Sequence, residues 1–153
     1  MNLPPFFEIL KCVKFHDNLL ICRPALDILG NLSTGPSIII ERIFDNEMIE
    51  VRYKIIKKML INLSNEISNS HLKKTIYWLF SNVIASGPKH IQYLDRDIFW
   101  DNCMENLWSN DNIEVKIEVG YCLRNFFTVA DYRTCIFRMK KHKQVSFQYL
   151  LIR

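Results

Sequence analysis

The chain repeats itself, and this limits what it can fold into before any motif is considered. Three segments, ICRPALDILGNLSTG, HLKKTIYWLFSNVIASG and VKIEVGYCLRNFFTV, align on Asn31, Asn82 and Asn125, at intervals of 51 and 43 residues. The shorter interval suits helical units of about 40–47 residues that stack into solenoids. The longer one requires an insertion of several residues ahead of His71.

The alignment carries a pattern of apolar side chains. Ten residues before each asparagine stand Ile21, Leu72 and Val115, and six before stand Ala25, Ile76 and Val119. Three before come Ile28, Leu79 and Cys122, two before come Leu29, Phe80 and Leu123, and one after come Leu32, Val83 and Phe126. At about 100° per residue these positions form one stripe of a helix, as wide as a buried face. The asparagines fall elsewhere on the wheel. With them lie the residues four before (Asp27, Trp78, Tyr121) and seven before (Pro24, Thr75, Glu118), which predicts a second, exposed stripe on each helix.

The punctuation agrees. Gly35-Pro36 and Gly87-Pro88 close the first two copies, Gly suiting a helix end and Pro the first turn of the next helix. SIIIERIFDNE, RYKIIKKMLINL and FWDNCMENLW read as further helices between the copies. Residues 113–119 alternate with period two and taken alone read as a strand, yet their register with the other copies predicts helix. Only 4 Gly and 5 Pro are too few for a sandwich of tight turns, and 49% apolar with 24% charged residues suits a folded chain. The expectation is an all-α, right-handed α-solenoid of about three repeats, one domain over 1–153. Its parts are a partial repeat over about 3–35, repeats over about 36–87 and 88–130, and a partial repeat over about 131–153.

Several classes of function find no support. The net charge of +4 is spread evenly over both halves apart from Lys140, Lys141 and Lys143, unlike the concentrated charge of a nucleic-acid binder. No apolar run approaches the roughly 18 residues of a membrane span, and Met1–Leu10 does not resemble a signal peptide. The five cysteines, odd in number and without a C-x-x-C pair, read as free thiols in a reducing compartment. His16, His71, His90 and His142 are scattered and match no metal-ligand spacing. Phosphate-binding glycine loops and a nucleophile elbow are missing as well, so neither catalysis, a metal nor a cofactor is expected. The sequons at Asn31 and Asn62 fall in predicted helices and are taken as accidental.

What remains is binding. An asparagine side chain offers both a donor and an acceptor, so a row of them can hold the amides of an extended peptide without reading its sequence. An aromatic one turn away forms the wall of a slot for the stem of Lys or Arg and attracts its cationic head by about 0.5–2 kcal/mol. A nearby carboxylate, Glu118 or Asp27, adds attraction for that head and repels acidic ligands.

TIYWLFSNVIASGPKHIQYL, PALDILGNLSTG and EVGYCLRNFF resemble the third helices of armadillo repeats in the importin alpha family, over most of residues 3–139. Their order resembles the C-terminal half of that solenoid: a Gly-Asn copy without tryptophan, a Trp/Asn copy, then another. The resemblance implies an armadillo-type solenoid that binds nuclear localisation signals, serves nuclear import and occupies nucleus and cytoplasm. By the same resemblance Asn31, Asn82 and Asn125 would hold cargo backbone, Trp78 and Tyr121 would flank basic side chains, and Thr34 and Glu118 would contact lysine or arginine.

The sequence also departs from that family. Tyr121 replaces a tryptophan, Thr75 stands where a glutamate is common, and Asp27 is an acid at an unusual place. A basic N-terminal arm for importin beta and the repeats of the major binding site are missing from these residues. A degenerate scaffold that docks on proteins through apolar ends, Leu3–Phe7 and Phe147–Ile152, is the alternative, and a helical RNA binder using Lys140–Lys143 is a third reading.

Overall fold

A computed structural model of the chain describes residues 9, 12, 18–44, 57–61, 69–109 and 112–151. Among these residues no strand occurs, and every regular element is helical. The named helices are α1 (Leu19–Ser33), α2 (Ser37–Phe44), α3 (Ser70–Ala85), α4 (Pro88–Leu94), α5 (Asp97–Ser109), α6 (Ile113–Val129) and α7 (Tyr132–Leu151). Residues 57–61 are helical too. The helices α1, α3 and α6 are the three aligned copies, and α3 packs against α1 on one side and α6 on the other.

A second asparagine starts each copy. Asn18, Asn69 and Asn112 stand thirteen residues ahead of Asn31, Asn82 and Asn125. Each is the N-cap of its helix, and its side-chain oxygen accepts the N–H two residues on, from Leu20, His71 and Glu114, at 2.9 Å in all three. A capped first turn satisfies donors that have no partner inside the helix. At Asn112 the cap also takes the N–H of Val115. Together with burial of Val115, Val119 and Cys122 along one face, this makes residues 113–119 helical despite their alternation.

The Gly-Pro pairs stand directly beyond the helix caps. The C-caps of α1 and α3 are Thr34 and Ser86, both in the right-handed region, and their hydroxyls donate to the carbonyls of Asn31 and Val83. Glycine is required one residue later, at Gly87, where φ is +144° and Pro88 opens α4.

The apolar stripe is buried where a helix has neighbours on both sides. All five stripe positions of α3 lie in the core, as do Val115, Val119, Cys122 and Phe126 of α6, with Leu123 half-buried. On α1, Ala25 and Leu29 are buried and Leu32 half-buried, whereas Ile21 and Ile28, expected inside, are exposed. An apolar residue is covered only where a partner helix reaches it, and the contacts of α1 with α3 and α2 leave Ile21 and Ile28 exposed.

Polar groups tie the outer layer to this stack. Tyr77 donates its hydroxyl hydrogen to Asn102 O at 2.9 Å, and Asn102 in turn donates to Leu60 O, joining α3, α5 and the helical stretch 57–61 in the interior. Arg138 anchors α7. Its side chain is only 6% exposed, bonds Asp95 and Asp97 at 2.6 and 2.7 Å, and lies over Trp100. Lys141, part of the basic cluster, is bound to Asp97. Leu3–Phe7, His16, the Asn62 sequon and the side chains of Lys143 and Phe147–Ile152 lie outside the described residues.

Candidate functional site

The asparagine row is built by hydrogen bonds between neighbouring helices. Asn125 of α6 donates from Nδ2 to Ser81 of α3, to the carbonyl at 3.1 Å and to the hydroxyl at 3.0 Å. Asn82 of α3 donates from Nδ2 to the Ser33 hydroxyl of α1 at 3.1 Å. Asn31 turns its amide back onto Asp27 O of its own helix. Each asparagine thus spends donor capacity on holding the scaffold, and no hydrogen bond to a side-chain oxygen of the three occurs among the described residues. Those oxygens can accept from a ligand's N–H. Asn82 and Asn125 are half-buried and Asn31 is exposed.

The two helix pairs are offset by about one turn. Ser33 follows Asn31 by two residues, while Ser81 precedes Asn82 by one. A row of side chains carried by such helices is stepped, which suits an extended chain crossing the helices obliquely.

Trp78 sits on a glycine. A Cβ added to Gly30 would lie 2.6 Å from Trp78 Cε3 and 3.1 Å from Cη2, so the indole fills the place a side chain would take on α1. The ring is half-buried. Tyr121, the corresponding residue of α6, is 47% exposed. Thr34 is exposed at the end of α1, with its hydroxyl donated to Asn31 O.

The position seven before the asparagine departs from expectation. Pro24 is exposed and Glu118 half-buried, but Thr75 is buried, where its hydroxyl donates to Asp27 Oδ1 at 3.2 Å. Asp27 bridges α1 to α3 in this way, so the buried hydroxyl has a partner. Across the other seam Lys74 bridges α3 to Glu114 of α6 at 3.0 Å. Burial raises the pKa of Glu118 above the usual carboxylate value; Lys74 opposes this and Glu114 adds to it. A cationic side chain docking there would relieve the repulsion between the two glutamates.

The structure gathers Asn31, Thr34, Trp78 and Asn82 about the seam between α1 and α3. Glu118, Tyr121 and Asn125 stand on α6, which reaches α3 through Asn125 and Cys122. A cleft of about 510 Å³ opens between the N-terminal turns of α1 and α3, lined by Leu20, Arg23, Pro24, Asp27, Asn69 and Leu72. Sequence reasoning passed over Gly30, Ser33 and Ser81, which position the row. The signal available was their small size beside a tryptophan or asparagine on the next copy. Burial pushes the Cys103 and Cys122 thiols well above their ordinary pKa, disfavouring the reactive thiolate, and no cluster of three metal-ligating side chains occurs among the described residues.

No protein-family model matches the chain, and no curated protein matches it in sequence. Solved structures do. The crystal structure of an engineered protein matches 92% of this chain and 52% of its own, at 16% identity and a TM-score of 0.71. A designed armadillo repeat protein in complex with the peptide (KR)4 matches 92% of this chain and 70% of its own, at 14% identity and a TM-score of 0.50. The fold is an armadillo-like, all-α solenoid. The chain spans about half the length of the engineered protein.

Proposed function

We propose that the chain is a binding module that holds an extended, Lys/Arg-rich peptide across α1, α3 and α6, in the manner of an importin alpha adaptor for nuclear localisation signals. One observation carries the reading: the half-buried indole of Trp78, seated on Gly30, stands one turn from Asn82. An aromatic beside an amide oxygen that can accept a backbone N–H supports a wall for a basic stem. The sequence resemblance to importin alpha and the fold shared with a designed protein that binds alternating Lys and Arg support it. The module acts by binding rather than catalysis, on cargo carrying basic signals, between cytoplasm and nucleus.

Overall charge does not assist, since the chain is itself at +4, so attraction has to be local, from Asp27, Glu114 and Glu118. The test is a competition assay by fluorescence anisotropy, with a labelled basic peptide displaced by unlabelled basic peptide, acidic peptide or single-stranded RNA. Only the basic peptide is expected to compete, and Trp78→Ala should weaken binding by about 1–2 kcal/mol, or roughly 5–30-fold. Equal binding by mutant and wild type, or displacement by RNA, would overturn it.

A further inference from the structure

The N-terminal half of the α6 stripe is acidic, and the chain itself places a lysine there. Glu114, Glu118, Tyr121 and Asn125 follow one another at intervals of four, three and four residues, so they share one face of α6. Glu114 stands in the first turn beside the N-cap Asn112, where the helix dipole favours a carboxylate. From α3, Lys74 crosses the seam, and its Nζ lies 3.0 Å from Glu114 Oε2. The same ammonium favours the charged form of Glu118, against burial and against the repulsion of Glu114. One lysine thus serves two carboxylates that stand one turn apart.

The bridge lies at the surface. Lys74 is 36% exposed and Glu114 61%, and ion pairs in such surroundings contribute little to stability. The junction of α3 with α6 has other support, from the buried Val115, Val119, Cys122 and Phe126 and from the bonds of Asn125 to Ser81. A ligand's cation can therefore replace Lys74 without parting the two helices.

We propose that Lys74 is an internal stand-in for a basic residue of the ligand: in the free protein it occupies the Glu114–Glu118 pair, and a bound peptide displaces it. This rests on the reading of the groove as a site for basic peptides, and it adds what limits their affinity. Exchanging one ammonium for another leaves the number of ion pairs at the two glutamates unchanged, so the net attraction from this subsite is small while Lys74 is present. With a neutral side chain at position 74, the ligand's cation instead relieves the repulsion between Glu114 and Glu118. Lys74 thereby acts against binding although it touches neither Trp78 nor the asparagines in its printed bridge to α6.

Fluorescence anisotropy on the full chain, with a labelled peptide of alternating Lys and Arg, is the test. Lys74→Met should tighten binding by about two- to fivefold, and Lys74→Arg, which keeps a cation at the bridge, should bind as wild type does. Lys74→Gln takes the place of Lys74→Met if the methionine variant loses the helical circular dichroism of the wild type. Lys116→Met changes the net charge equally, but Lys116 stands two residues from each glutamate, about 200° around α6, and its loss should not reproduce the gain. In a Glu114→Gln background the gain from Lys74→Met should largely disappear. A gain matched by Lys116→Met or Lys74→Arg, or undiminished by Glu114→Gln, overturns the proposal, as does a Lys74→Met variant that binds no tighter than wild type; each leaves the peptide reading standing. If neither wild type nor Lys74→Met binds the peptide, the reading of the groove falls and this inference with it.

Discussion

The indole of Trp78 occupies the space above Gly30, so closely that one methyl group on that glycine would displace it. This relationship explains why a helical glycine is tolerated at the centre of α1, where it costs about 1 kcal/mol relative to alanine. It also gives Trp78 a fixed orientation, which a slot for a basic side chain requires.

Gly30→Ala should therefore destabilise the fold, by about 1–3 kcal/mol as an overpacking substitution, although alanine is the better helix former. Urea denaturation followed by circular dichroism measures it. The same variant should weaken basic-peptide binding, because the indole must shift; unchanged stability and affinity would remove Gly30 from the site.

The bond from Asn125 to Ser81 separates scaffold from ligand roles. Ser81→Ala removes the hydroxyl acceptor yet leaves the carbonyl, and should cost about 0.5–1.5 kcal/mol of stability while most peptide affinity survives. Asn125→Ala should cost a similar amount of stability and weaken the peptide as well. Calorimetric titration of both variants distinguishes the two outcomes.

Tyr121 is the exposed aromatic of the α6 copy. Replacing it by Trp enlarges the wall and should tighten the basic peptide by about 0.5–1 kcal/mol, or roughly two- to fivefold. An unaltered affinity would place the peptide elsewhere than α6.

Glu118 predicts a pH dependence for the same binding. Burial raises its pKa, so lowering the pH neutralises it earlier than an ordinary glutamate. A bound cation favours the charged form, so affinity should rise with pH as Glu118 ionises, and Glu118→Gln should flatten that rise. Anisotropy titrations at successive pH values read it directly.

Acid stability should depend on Asp97. Hydrogen bonds from Lys141 and Arg138 hold its pKa at about 2, below the ordinary 3.8. A carboxylate with a depressed folded pKa contributes stability in full above its unfolded value, and that contribution is lost as pH falls through the folded one. Melting temperature should therefore drop between about 3.8 and about 2, and less steeply in Asp97→Asn.

The three copies were legible because helical periodicity is local. Fifteen apolar positions in register predicted three helices, and the caps at Asn18, Asn69 and Asn112 had their own signal in a constant spacing of thirteen residues. That register was enough to override the strand-like alternation of residues 113–119, since a capped helix with one apolar face satisfies its backbone and its burial together.

What the sequence alone did not determine is which exposed position has a neighbour. Thr75 and Glu118 occupy the same place on the wheel, yet one is buried against Asp27 and the other half-open, because their helices meet their predecessors with different offsets. Ile21 and Ile28 are as apolar as Leu72 and Leu79 but lie exposed. Secondary structure follows from side chains within one turn of each other, whereas burial and the direction of an asparagine's hydrogen bond belong to the pair of helices. Only packing settles those.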